Sequence, residues 1–181
     1  MCVVIDTNTF SSVFNRNSSD HHNYKPVLDW ILKGKGVIVY GGKKYKDELK
    51  EASKYLEIFI EFKSKRKALE VPAEDVDKHE NYVNKFVKNP SFNDAHLVAI
   101  IRVSRCKIIC TEDDKAIPFI KENNLYPKGC EVPKIYAYKF HEDMLCDSNI
   151  VNFCKKDKHG NKIEKLNKKD RAALDRVLGK S

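Results

Sequence analysis

Long apolar runs are absent from this 181-residue sequence, and no stretch approaches the roughly 18 consecutive apolar residues of a membrane span. The first residues also lack the basic segment and the extended apolar segment of a secretory signal peptide. We therefore expect a cytoplasmic protein that does not cross a membrane. Apolar residues make up 41% of the sequence, which is enough for the core of one domain carrying a short appendage.

Several motifs that mark common sites are also missing. No second histidine follows His79-Glu80 at the spacing of a zinc protease, and no glycine-flanked serine is present. The segment 36–43 has the glycines of a phosphate loop, but no Ser or Thr follows Lys43. The cysteines form no Cys-x-x-Cys pair, so neither a zinc site nor, in a reducing compartment, a disulfide framework is expected. They are Cys2, Cys106, Cys110, Cys130, Cys146 and Cys154.

Positive charge is concentrated near the end of the sequence. Of the formal net charge of +8, +6 belongs to residues 155–181, which contain ten Lys or Arg and four Asp or Glu. A basic tail of this kind is consistent with a polyanionic partner, and equally with a solvated charged terminus. Because the apolar pattern also thins beyond about residue 147, we predict two units. They are a domain over 1–146 and a basic, partly disordered C-terminal appendage over 147–181.

Short apolar runs alternate with amphipathic segments along the first unit. Strands are predicted at Cys2–Ile5, 37–40, 107–110 and 132–138. Helices are predicted at 7–14, 26–32, 72–87, 93–105, 114–123 and 169–178, with a long one after Gly42 whose apolar face includes Leu49, Leu56 and Ile60. This alternation predicts an α/β fold with a mainly parallel central sheet.

Acidic residues stand where predicted strands end or helices begin. Asp6 and the Asp113-Asp114 pair follow two strands, Asp94 opens a largely apolar helix, and Glu48 lies in the helix after the second strand. Because the carboxyl ends of parallel strands share one edge of a sheet, we expect these side chains to converge. Converging carboxylates repel one another unless a cation lies between them, and oxygen donors suit Mg²⁺ or Mn²⁺. The sequence thus indicates a divalent-metal site.

Each acid also has an ordinary structural explanation when taken alone. The three aspartates at positions 6, 94 and 113 could cap helix N-termini. Glu48 could form a surface pair with Lys44, four residues earlier, and two neighbours in the same helix compete for its role. These competitors are Asp47 and Glu51. The order and spacing of the set carry more weight than any single member.

Four segments together resemble the PIN-domain ribonucleases, the fold of many bacterial toxin–antitoxin endonucleases. The segments are Val4-Ile5-Asp6-Thr7-Asn8, Asp47-Glu48-Leu49, Asn93-Asp94-Ala95 and Thr111-Glu112-Asp113-Asp114. The resemblance covers roughly residues 1–140. It implies a three-layer α/β/α fold and RNA cleavage that depends on Mg²⁺ or Mn²⁺. It departs from the commonest family pattern in its Asp113-Asp114 doublet and in its basic C-terminal segment.

The resemblance also assigns roles to individual residues. Asp6, Glu48, Asp94 and Asp113 would be catalytic and would ligate metal directly or through water, with Asp114 as the alternative to Asp113. Asn8 and Thr111 would be polar support. Partners implied are RNA, a cognate antitoxin and a second copy in a homodimer. We expect three lysines upstream of Glu48 to position RNA by contacting its phosphates. They are Lys43, Lys44 and Lys46.

Two other functions compete with a ribonuclease. A phosphatase of the haloacid-dehalogenase type also begins with an aspartate after its first strand. It needs a second acid two residues later, where this sequence has Asn8. The non-enzymatic alternative is a catalytically silent PIN module that binds RNA or protein. Retention of all four acids favours an active enzyme.

Overall fold

A five-stranded parallel sheet forms the centre of the computed structural model, which describes residues 2–138, 142–146 and 149–179. The strands are β1 Cys2–Ile5, β2 Val37–Gly41, β3 Ala68–Val71, β4 Ile108–Cys110 and β5 Lys134–Tyr136. Their order is β3-β2-β1-β4-β5, and every adjacent pair is parallel. The central strands are apolar at every position because both faces of the sheet are covered. The predicted α/β fold with a parallel sheet is confirmed.

Helices flank this sheet. They are α1 Phe10–Phe14, α2 His21–Lys33, α3 Lys43–Glu51, α4 Ser53–Ser64, α5 Ala73–Phe86, α6 Ala95–Ser104, α7 Ile117–Ile120 and α8 Lys168–Leu178. A 3-10 turn at Thr7–Thr9 precedes α1. The helix α6 is buried on nearly every side, as its largely apolar sequence predicts, and it packs most extensively against α5. No described helix is both long and apolar enough to span a membrane.

Four elements differ clearly from the sequence prediction. Strand β3 was not predicted, because a basic run at 63–67 directly precedes it and its pattern is only four residues long. The single long helix after Gly42 is two helices, broken at Ala52, so Ile60 lies 59% exposed instead of on the buried face. The helix α2 begins at His21, before the predicted start at residue 26, and contains Pro26. Of the helix predicted at 114–123, only Ile117–Ile120 is α-helical.

The C-terminal segment packs against the rest of the chain. Leu174 and Leu178 of α8 are buried in the same apolar core as the sheet, against α4 and α2. Lys65 lies 3.1 Å from Asp170 and forms one ion pair across this contact. The division at residue 146 stays a prediction. Residues 147, 148, 180 and 181, which belong to the predicted appendage, lie outside the described part of the chain.

Candidate active site

Asp6 lies buried at the carboxyl end of β1, with 1% of its surface exposed. Its backbone N–H donates to the Cys110 carbonyl oxygen at 2.9 Å, which carries the β1–β4 pairing past the strand end. Its carboxylate accepts a hydrogen bond from Thr111 Oγ1 at 2.8 Å and another from the Asn8 backbone N–H at 3.1 Å. Burial raises the pKa of Asp6, and these two hydrogen bonds oppose that effect.

Asp94 occupies the N-cap position of α6, but its side chain accepts no capping hydrogen bond. Helix capping, the ordinary structural explanation for an aspartate at this position, therefore does not account for the Asp94 side chain. Its side chain is buried, with 8% exposed. Burial, followed by the negative charges of Asp6 and Asp113, raises the pKa of Asp94 to about 6. The charges of two other predicted carboxylates thus act on Asp94.

Asp113 and Asp114 occupy different environments after β4. The Asp113 carboxylate accepts hydrogen bonds from the backbone N–H groups of Lys115 at 2.8 Å and Ala116 at 3.1 Å, so it does cap the turn that follows. Its own N–H donates to Thr111 Oγ1 at 3.1 Å. Asp114 is exposed to solvent. The charge of Asp113 is among those that raise the pKa of Asp94, whereas that of Asp114 is not among them.

Glu48 on α3 does not form the surface pair with Lys44. Its Oε2 accepts a hydrogen bond from Thr7 Oγ1 at 2.9 Å and lies 3.3 Å from Nε2 of the fully buried His96. Burial acts to raise the pKa of Glu48, but contacts with His96 and Thr7 and the charge of Lys44 outweigh it and lower the pKa. The Lys44 ammonium group donates instead to the backbone carbonyl oxygen of Asn93.

Thr7 and His96 were not among the predicted site residues. Thr7 lies between Asp6 and Asn8, so a polar side chain beside the first carboxylate was visible in the sequence. His96 follows Asp94 by two residues. Its contact with Glu48 depends on the approach of α3 to α6, which no local pattern encodes.

The predicted basic residues divide into two groups. Lys43 and Lys44 line a cavity of about 620 Å³ together with Glu48 and Glu80. Lys46 instead forms an ion pair with Glu70 of β3 and does not line this cavity. Glu80, which sequence reasoning considered only as part of a zinc motif, has a pKa raised chiefly by burial.

The supporting residues also differ in their placement. Thr111 is fully buried and contacts Asp6 through its hydroxyl, as the resemblance implies. Asn8 is exposed, and it reaches Asp6 through its backbone N–H. Among the described residues, no group of three or more His, Cys, Asp or Glu side chains is arranged to hold a metal ion. The donors are nonetheless the hard carboxylate oxygens that Mg²⁺ and Mn²⁺ prefer.

Three comparisons with known proteins bear on the identity of this site. The chain was compared with models of protein families, with curated proteins and with solved structures. None of the three comparisons found a match. The function is therefore inferred from the residues and their geometry.

Proposed function

We propose that the chain is a PIN-type ribonuclease that hydrolyses RNA phosphodiester bonds with Mg²⁺ or Mn²⁺. The observation that carries this proposal is Asp94, a buried carboxylate that caps nothing and lies in the field of Asp6 and Asp113. A structural role leaves this repulsion unexplained, whereas a divalent cation would relieve it. The parallel sheet flanked by helices is compatible with the three-layer fold that the proposal requires.

The donor set suits a magnesium ion in its usual form. Mg²⁺ commonly binds through one or two carboxylates and completes its shell with waters and substrate phosphate oxygens, so a cage of three protein side chains is not required. When bound, the ion would polarise the phosphate and lower the pKa of water. Asp6 and Asp94 are the residues that we assign to direct contact, with Asp113 and Glu48 acting directly or through water.

The remaining residues of the site would orient these carboxylates and the substrate. Thr111 fixes one oxygen of Asp6 and Thr7 fixes one oxygen of Glu48, which also lies 3.3 Å from His96 Nε2. Lys43 and Lys44 flank the acidic cavity and would contact phosphates without distinguishing bases. Lys46 was predicted to share this role, but its ion pair with Glu70 leaves it outside the proposed substrate path.

The direct test is cleavage of an end-labelled single-stranded RNA by the full chain in Mn²⁺, in Mg²⁺ and in EDTA. We expect cleavage with either metal and none with EDTA, and its loss in Asp94→Asn. Asp29→Asn is the matched control, because Asp29 lies on α2, pairs with Lys25 and Lys33, and does not line the acidic cavity. Cleavage that persists in EDTA or in Asp94→Asn would contradict the proposal.

A catalytically silent RNA-binding module is the second candidate. The hydrogen bonds that one Asp113 oxygen accepts from Lys115 and Ala116 favour it, because they engage a predicted metal ligand. Binding of RNA without cleavage under every metal condition would support this alternative. An antitoxin, a homodimer and a cytoplasmic location stay predictions of the resemblance, and a haloacid-dehalogenase-type phosphatase stays the less favoured enzyme because Asn8 replaces its second acid.

A further inference from the structure

A second cavity, of about 400 Å³, lies along the edge strand β3. One wall comes from the end of α4 and from β3, and the other from residues 153–159 of the C-terminal segment. An aromatic ring, Phe153, lines it together with four basic side chains. These are Lys63, Arg66, Lys156 and Lys158. The cavity shares no lining residue with the acidic cavity described above.

A turn held by hydrogen bonds presents two of these lysines. Lys156 and Lys162 form an isolated antiparallel bridge, and Asp157 lies inside the loop between them. The Asp157 carboxylate accepts hydrogen bonds from the backbone N–H groups of His159 and Asn161, both at 2.9 Å. The Asn161 side chain adds a third hydrogen bond at 3.0 Å. The loop is therefore built by its own contacts, and Lys156 and Lys158 project from a defined backbone.

The two acids in the lining are already engaged. Glu70 is paired with Lys46 and, at 2.9 Å, with Lys63. Burial acts against its charge, but these lysines outweigh burial and lower the pKa of Glu70 to about 2. Asp157 accepts the loop hydrogen bonds described above, and Arg66 lies 3.9 Å from it.

The unpaired charge in the lining is therefore positive. Neither Lys156 nor Lys158 forms an ion pair with any described residue. The charge of the cavity thus favours an anionic ligand.

The lining also limits the chemistry of that ligand. A volume of about 400 Å³ is in the range of small-molecule sites. Phe153 is 36% exposed, which leaves part of its ring accessible to a planar group. Bases stack on such rings with little sequence preference, while lysine and arginine contact phosphate. We infer that this cavity binds a nucleoside phosphate, either free or as one unit of an RNA strand.

A free nucleotide and an RNA strand differ in whether their binding here depends on the proposed function. A free nucleotide site would be independent of it. An RNA-unit site rests on the proposed function, because it would hold the substrate away from the carboxylates. Binding measured in EDTA tests the cavity separately from the proposed ribonuclease, because EDTA prevents metal-dependent cleavage.

The test measures binding of AMP and of a labelled ten-nucleotide RNA to the full chain in EDTA, by calorimetry and by fluorescence anisotropy. The variants are Phe153→Leu and the double variant Lys156→Gln/Lys158→Gln. The control is Lys35→Gln/Lys121→Gln, which removes the same charge from two exposed lysines that line neither cavity. Thermal melting establishes that each variant is folded.

We expect each cavity variant to weaken binding roughly tenfold, through the lost stacking or phosphate contacts, and the control to bind like the wild type. An effect on AMP identifies a free-nucleotide site, and an effect on RNA alone identifies a strand-binding site. The inference is overturned if neither ligand binds, if the control weakens binding equally, or if an acidic peptide displaces both ligands at lower concentration. If the wild type binds these ligands but does not cleave RNA with either metal, only the proposed ribonuclease is contradicted.

Discussion

Thr111 Oγ1 donates a 2.8 Å hydrogen bond to Asp6 Oδ2, although the two residues are 105 positions apart in the sequence. The same hydroxyl oxygen accepts from the Asp113 backbone N–H at 3.1 Å. A continuous path of hydrogen bonds therefore runs from Asp113 through Thr111 to Asp6. Because β1 and β4 are adjacent and parallel, their two carboxyl ends hold the Asp6 carboxylate and the Asp113 backbone in one network.

Replacement of Thr111 by valine should break this network. We expect Thr111→Val to lower the free energy of unfolding by about 1 to 3 kcal/mol, because a buried Asp6 oxygen loses its hydrogen-bond donor. Urea unfolding at pH 7.5 measures the change. Thr111→Ser keeps the hydroxyl and serves as the control. A valine variant as stable as the wild type would mean that this hydrogen bond contributes nothing to folding.

Asp94 should destabilise the metal-free protein at neutral pH. Its pKa is about 6 in the folded chain and near 3.9 when unfolded, so the folded state binds more protons between these values. Stability therefore falls as pH rises through this window, and the full penalty is present above pH 6. In EDTA at pH 7.5, Asp94→Asn should raise the free energy of unfolding by about 1 to 2 kcal/mol, after allowance for solvent screening.

The pH dependence is the sharper part of this prediction. The gain in free energy of unfolding from Asp94→Asn should shrink between pH 6 and pH 4. It should be absent below pH 4, because the protonated Asp94 carboxyl is then as neutral as the Asn amide. Chemical denaturation at several pH values measures it, with Asp47→Asn as the comparison. A gain that is equal at pH 4 and at pH 7.5 would show that the charge of Asp94 is not its cause.

The aspartate doublet can be resolved by single substitutions. Asp113→Asn should reduce metal-dependent RNA cleavage at least tenfold, since its charge acts on Asp94 within the site. Asp114→Asn should leave the rate within about threefold, because this side chain is exposed. Single-turnover cleavage in Mn²⁺ compares the two. The opposite ranking would make Asp114 the functional residue.

Lys67 offers a second titration, remote from the acids. It is 1% exposed, and its ammonium group donates to the carbonyl oxygens of Gly34 at 3.0 Å and Gly36 at 3.2 Å. Burial lowers its pKa to about 8, whereas the unfolded lysine titrates near 10.4. Between these values the unfolded chain binds more protons, so the wild type should gain stability as pH rises.

The measurement is the difference in free energy of unfolding between the wild type and Lys67→Met. From pH 7 to pH 10 this difference should shift by about 2 kcal/mol in favour of the wild type. Groups common to both proteins cancel in the difference. A flat profile would mean that Lys67 keeps its ordinary pKa through contact with water.

The contribution of the C-terminal helix to the core is also measurable. Leu174 is fully buried against the rest of the chain, so Leu174→Ala should lower the free energy of unfolding by about 2 to 4 kcal/mol. The exposed neighbour Arg176, replaced by alanine, is the control and should change it by less than about 0.5 kcal/mol. Equal midpoints for the two variants would indicate that α8 is not part of the cooperative unit.

Local pattern in the sequence predicts several elements of this fold. Apolar runs identified β1, β2 and β4, because strands buried on both faces are built from apolar side chains. The edge strand β5, with exposed Lys134, was predicted from the run 132–138. The position of Asp6 and Asp113 after two of these strands was enough to predict that they meet at one edge of the sheet. Strand β3 escaped, because four residues after a basic run carry too little periodicity to be distinguished from a loop.

The pairing of polar groups depends on tertiary contacts. Glu48 was predicted to face either Lys44 or the other acids. The approach of α3 to α6 and to the turn after β1 places it beside Thr7 and His96, and its charge acts on Asp6. In the same way, α8 covers the core, and the turn at residues 156–162 lies beside β3. Such contacts join residues far apart in sequence, and their energies depend on burial and on distances of a few ångströms. Spacing along the chain reports neither burial nor distance, so the partners of these groups follow only from the folded structure.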